Sequence, residues 1–125
     1  MFTASVNLAA WSYVEIIFAK RKLGASMASH EARVRAFGAE RANKLNTRLT
    51  QLYEVERLED MRGLPGRCHE LRGDRQGQLA VDVTKNHRLI FKPTEQPPPQ
   101  KDDGGLGWSK VEAITILEVE DYHGE

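Results

Sequence analysis

The stretch QLAVDVTKNHRLIFK, residues 78–92, decides the fold. Leu79, Val81 and Val83 fall on one side of an extended chain while Ala80 and Asp82 fall on the other. That period of two belongs to a strand with one apolar face and cannot serve a helix. TKN (84–86) is a polar turn and HRLIFK (87–92) is a second strand, so the stretch predicts a β-hairpin.

Upstream, GLPG (63–66) separates this hairpin from a segment of different period. From Ala39 to Met61 the apolar positions are Ala42, Leu45, Leu49, Leu52 and Val55, steps of three and four that trace one face of an amphipathic helix. A shorter helix, capped by Ser26 or Ser29, runs to about Phe37, and Gly38 punctuates it. YVEIIFA (13–19) is β-branched and aromatic, a buried strand, whereas residues 1–11 have no period and read as a loose leader.

Downstream, PTEQPPPQKDDGGLGWS (93–109) has the composition of a loop, since three successive prolines cannot continue a central strand. EAITILEVEDY (112–122) begins almost continuously apolar, as a strand at the centre of a sheet does. The expected architecture is one α+β domain over 1–125: an N-terminal strand and two helices, packed on one face of a mainly antiparallel sheet.

Composition narrows the function. Hydrophobic residues at 40% and charged residues at 29% are ordinary for a globular domain. A formal net charge of zero excludes diffuse attraction to nucleic acid, so any such role has to be local. Residues 62–92 carry seven Lys or Arg against three acids, and residues 102–125 carry seven acids against one lysine. A single cysteine, Cys68, excludes an internal disulfide and a multi-cysteine zinc site and fits a reducing cytoplasm. The apolar run Leu8–Ala19 is too short for a bilayer, contains Glu15 and leads into KRK; it reads as a strand rather than an export signal or membrane segment.

Two clusters carry candidate chemistry. In CHELRGDRQGQ (68–78), His69 and Leu71 lie on one side of a short strand and Glu70 and Arg72 on the other, with Arg75 in a turn between Gly73 and Gly77. Arg88 enters from the neighbouring strand, and EDYHGE places Asp121, Tyr122 and His123 at the end of the last strand. A purely structural reading also accounts for them: Asp74 caps the turn, the arginines are solvated or paired with Asp82 and Glu70, and EDYHGE is a polar tail. Together the clusters supply what RNA phosphodiester cleavage needs. The 2′-hydroxyl is the nucleophile, histidine moves protons near neutral pH, and arginine forks match phosphate oxygens.

RCHELRGDRQGQLAVDVTKNHRLIF (67–91), followed by EVEDYH (118–123), resembles the HigB branch of the RelE/ParE superfamily, toxins of type II toxin–antitoxin systems. The likeness spans roughly residues 40 to 123. It implies a RelE-like microbial RNase fold with a twisted sheet, and ribosome-dependent cleavage of mRNA that inhibits translation. No cofactor is called for and no metal is needed for this chemistry; Asp121, His69 and His123 are residue types that bind metals, but no ligand-spacing motif is present. The implied partners are the ribosome, mRNA and a cognate, HigA-like helix-turn-helix antitoxin, with a toxin–antitoxin hetero-oligomer in view. The implied catalytic set is His69, Arg72, Arg88, Asp121, Tyr122 and His123, with the two histidines sharing proton transfer. The arginines would hold the phosphate, Tyr122 would stack on a base or position the sugar, and Asp121 would orient a histidine or an arginine. A different outcome on the same scaffold is a ParE-like, gyrase-directed toxin or an inactive antitoxin-binding regulator.

Further RNA contacts are expected at Arg75, whose role is partly structural, at His87, and along the helical stripe Arg41, Lys44 and Arg48. Plain solvated surface accounts equally for the stripe, and a turn accounts for His87. The loop 93–110 is an insertion relative to compact relatives. Trp108 is expected to anchor it on the body of the domain, Trp11 has no assigned role, and Cys68 is an ordinary buried thiol.

Overall fold

The computed structural model describes residues 13–122, so the leader, Trp11 and His123 lie outside the described residues. Five strands form one sheet in the order β1-β5-β4-β3-β2: β1 Glu15–Phe18, β2 His69–Glu70, β3 Leu79–Thr84, β4 His87–Pro93 and β5 Ala113–Asp121. Three pairings are antiparallel and β1 lies parallel to β5. Helices α1 Arg21–Ser26, α2 His30–Phe37 and α3 Ala39–Glu54 follow β1. The α+β architecture is therefore as expected, with one helix more.

The core lies between α3 and one face of the sheet. Leu45, Leu49 and Leu52 meet Leu79, Val81, Val83, Leu89, Phe91, Ile114 and Ile116, all in a single apolar cluster. Of these, all but Leu49 and Val83 are completely buried. Each such side chain contributes about 1.5–3 kcal/mol relative to its exposed state. This helix-covered face is the one marked by the period of two in residues 79–83.

Two boundaries differ from expectation. The long helix stops at Glu54, where Val55 turns extended, and a 3₁₀ segment Leu58–Gly63 follows. Val55, Leu58 and Met61 continue the buried stripe at a spacing of three, which is the 3₁₀ repeat, so the apolar pattern outlasts the α-helix. The short α1 has no side-chain cap and contains Gly24, which left no helical signal in the sequence. Ser29, in contrast, caps α2 by accepting from the Ala32 N–H at 3.0 Å.

Gly66 closes the connection into β2 at φ +118, and a Cβ there would lie 2.7 Å from Val81 Cγ2 and 3.0 Å from Arg48 Nε. Arg48 is half-buried for the same reason. Its Nε donates to the Asp82 carbonyl at 2.6 Å and its Nη1 to the Pro65 carbonyl at 3.1 Å, joining α3 to β3 and to the GLPG segment. The guanidinium expected on an exposed RNA-binding stripe is thus spent inside the fold.

The segment 93–110 begins as the end of β4. It then holds one isolated bridge, Gln100 with Leu106, before a single 3₁₀ turn at Trp108–Lys110. Trp108 anchors it as expected: it is buried, Nε1–H donates to Glu70 Oε2 at 2.7 Å, and the Arg62 guanidinium stacks 3.9 Å from its ring centre. No described helix is long and apolar enough to cross a membrane.

Candidate functional site

The sheet face away from the helices carries the charged residues. Strand pairing aligns Asp82, Arg88 and Glu120 across β3, β4 and β5, and aligns His69, Ala80, Ile90 and Glu118 in the adjacent row. Paired residues point to the same side of a sheet, so His69 and Arg88 share this open face. Their Cα atoms are separated by two strand spacings and two residues along the strand, about 12 Å.

Guanidinium–carboxylate pairs organise this face. Arg88 Nε donates to Glu120 Oε1 at 2.6 Å. Arg75 reaches from the 73–75 turn to β5, donating to Glu118 Oε2 at 2.8 Å and to Glu120 Oε2 at 2.9 Å. Arg67 Nε donates to Asp82 Oδ2 at 2.7 Å. The Tyr122 ring lies 4.4 Å from the Arg88 guanidinium, and its backbone N–H donates to the Asn86 carbonyl at 2.7 Å, which continues the strand edge past Asp121. Burial raises the pKa of Glu120, but hydrogen bonds and charge from Arg88 and Arg75 outweigh it, and the carboxyl sits below its ordinary value.

His69 is half-buried, and its Nδ1 contacts the Arg67 carbonyl oxygen. A carbonyl only accepts, so Nδ1 is the donor, and in the tautomer this selects Nε2 is the acceptor. Arg67, the source of that carbonyl, adopts a left-handed φ of +52. His69 and Arg72 both line a groove of about 840 Å³ at the β2 edge of the sheet. The far wall of this groove is the insertion, through Pro98, Pro99, Gln100 and Leu106. Arg72 is exposed and has no ion-pair partner among the described residues.

Other expected site residues lie elsewhere. His87 alternates with Arg88, so it faces the helix side, where Nδ1 lies 2.7 Å from Thr84 Oγ1 in the hairpin turn. Asp121 pairs with His87 in register, and its carboxylate is 3.9 Å from His87 Nε2. Arg41 lines a separate recess of about 420 Å³ with His87 and Phe37, and Lys44 is exposed on α3. The described residues thus bring His69 and Arg72 to one groove and gather Arg75, Arg88 and Tyr122 around Glu120 on the neighbouring strands, and leave Asp121, His87, Arg41, Lys44 and Arg48 outside both groups.

Three residues of the site carried no sequence signal strong enough to select them. Glu118 and Glu120 read as ordinary polar positions of a strand, and Arg67 reads as a loop residue. The structural reading of the hairpin holds in part: Asp82 pairs with an arginine, Arg67, and Arg72 is exposed with no ion-pair partner among the described residues, whereas Glu70 is taken by Trp108 and β5 supplies the partners of Arg75 and Arg88. Among the described residues no group of three or more His, Cys, Asp or Glu is arranged to hold a metal ion. Cys68 is buried and desolvation pushes its thiol up to about 12.

No protein-family model and no curated protein sequence matches the chain. Among solved structures, a YoeB/ParE toxin from Agrobacterium tumefaciens is similar at 12% identity and TM-score 0.49, covering 87% of this chain and 99% of that one. A YoeB–YefM complex from Staphylococcus aureus is similar at 16% identity and TM-score 0.49, covering 88% and 97%. A YoeB dimer from the same organism is similar at 17% identity and TM-score 0.48, with the same coverage.

Proposed function

We propose that this chain is a metal-independent endoribonuclease toxin that cuts mRNA on the translating ribosome and is neutralised by a cognate, helix-turn-helix antitoxin. One observation carries the reading. His69, with Nδ1 committed to a backbone carbonyl, lines one groove with Arg72, which has no ion-pair partner among the described residues, and His69 shares its sheet face with Arg88 and Tyr122.

In this reading a neutral His69 accepts the 2′-hydroxyl proton at Nε2 as that oxygen attacks the adjacent phosphorus. Arg72 and Arg88 take the charge that grows on the non-bridging oxygens, a contribution of a few kcal/mol for preorganised donors. The bond to the 5′-oxygen breaks, that oxygen takes a proton from a second acid, and the RNA is left with a 2′,3′-cyclic phosphate. His123, from the closing DYH sequence, is assigned to that second proton. Tyr122 holds Arg88 by its ring face and offers its edge to the sugar or base.

The test is inducible expression in a bacterium of the wild type, His69→Ala, Arg88→Ala and His123→Ala. Growth arrest with transcripts ending in cyclic phosphates, relieved by each substitution, is the expected result. The occupation of Arg67, Arg75 and Arg88 by Asp82, Glu118 and Glu120 favours a second reading, a binding protein without nuclease activity. Arrest with DNA damage and intact transcripts supports a gyrase-directed toxin. No arrest from folded protein supports an antitoxin-binding regulator. Either outcome rejects the nuclease.

A further inference from the structure

We infer that the insertion 93–110 builds a nucleobase-binding subsite, in which a base stacks on the outer face of the Arg62 guanidinium beside the His69–Arg72 end of the groove. The inference deepens the proposed RNA-handling role of this face and rests on it for the choice of ligand.

Several features of the groove point to a flat, polar ligand with an anionic neighbour. Its volume of about 840 Å³ falls inside the range of pockets that enclose small ligands. The Arg62 guanidinium sits over the Trp108 ring, 3.9 Å from its centre, and Trp108 is fixed by burial and by its bond to Glu70. A guanidinium backed in this way is a rigid, exposed plane, and such planes stack on unpaired bases. Arg62 itself is solvent-accessible, so its second face is available.

The rest of the lining suits a base that has left its stack. Gln76 and Gln100 both line the groove, and a primary amide offers both a donor and an acceptor to a base edge. Pro98 and Pro99 give the insertion wall an apolar surface with little conformational freedom to lose. Arg72 lines the same groove and is without an ion-pair partner among the described residues, so it is placed for the phosphate joined to that nucleotide.

Trp108 also provides the assay. The chain has two tryptophans, and Trp11→Phe leaves Trp108 as the sole reporter. In that background, binding of a short single-stranded RNA with a 2′-deoxy sugar at the central linkage is followed by Trp108 fluorescence and by calorimetry. The expected result is a quench on binding, with Arg62→Ala and Arg62→Lys each weakening affinity by about ten-fold or more, since stacking on one base is worth roughly 1–3 kcal/mol. Gln100→Ala is expected to weaken it several-fold and to change the order of preference among A-, G-, C- and U-containing oligonucleotides. Adenosine monophosphate and the all-deoxy oligonucleotide separate recognition of base and phosphate from recognition of the RNA sugar.

Circular dichroism of each variant confirms the fold, and Gln100→Ala stands in if Arg62→Ala unfolds. RNA binding that is unchanged in folded Arg62 and Gln100 variants overturns the subsite, and so does cleavage in cells with no affinity for the oligonucleotide. Groove binding that depends on Arg62, in a protein that leaves transcripts intact, upholds the subsite and rejects the nuclease reading.

Discussion

Replacing Glu120 by Gln tests the charge balance of the open face more sharply than removing any arginine. Glu120 accepts from Arg88 at 2.6 Å and from Arg75 at 2.9 Å, and both ends of the Arg88 pair are about four-fifths buried. Gln keeps the shape and loses the charge. Charge-assisted bonds of this kind contribute about 1.5–3 kcal/mol, so a loss of about 1–3 kcal/mol of stability at pH 7 is expected. Because the arginines lower the Glu120 pKa in the folded state, its contribution is present above the unfolded carboxyl value of about 4.3 and is lost as pH falls through the folded value. The gap between wild type and variant therefore closes below about pH 4.

RNA affinity moves the other way. A phosphate seated on the far side of Arg88 lies two hydrogen-bond lengths, about 6 Å, from the carboxylate. Removing that negative charge is worth about 0.7 kcal/mol in water-like surroundings and about 3 kcal/mol at an effective dielectric constant near 20. The variant should bind single-stranded RNA about 3- to 100-fold more tightly at low salt, with the gain shrinking as salt rises. Urea unfolding between pH 3 and 7 and fluorescence anisotropy with labelled RNA read both effects. A variant that is no less stable at pH 7 and binds RNA no more tightly refutes the view that these carboxylates compete with phosphate.

Gly66→Ala combines a disallowed φ with overlap against Val81 and Arg48, and should cost about 2–5 kcal/mol in urea unfolding. Arg48→Ala removes the bonds from α3 to the Asp82 and Pro65 carbonyls; a loss of about 1.5–3 kcal/mol is expected, with RNA affinity at constant salt unchanged once folding is confirmed. A drop in affinity with intact stability would return Arg48 to the RNA-contacting stripe. Cys68, buried with its thiol near 12, should react with a thiol reagent at pH 8 about a thousand times more slowly than free cysteine and at the free rate in denaturant.

The hairpin was legible because burial of one face imposes a period of two on residues 79–83, and no other structure fits that pattern. The end of α3 was not, because Val55, Leu58 and Met61 keep burying side chains after the helical hydrogen bonds stop. At the candidate site the sequence marked which residue types are present but not which strands adjoin. His69 and Arg88 share a face because β2 and β4 both flank β3, and the alternation along each strand foreshadows that. The pairing of Arg75 and Arg88 with Glu120 depends on β5 docking beside β4 across a bulge, a long-range register that local charge patterns do not encode. The same alternation separates Asp121 from Arg88, although the two are expected in one catalytic set; Asp121 pairs with His87 on the other side.

β5 lies between β1 and β4, although it is the last of the five strands in sequence. The hairpin and the N-terminal strand therefore have no common neighbour until that segment is made, and a nascent chain ending before it exposes two unpaired backbone edges, the kind of surface that sticks to other strands. Glu118, Glu120 and Tyr122 arrive on the same segment. Fragments that stop short of it therefore lack a closed sheet and a completed open face at once.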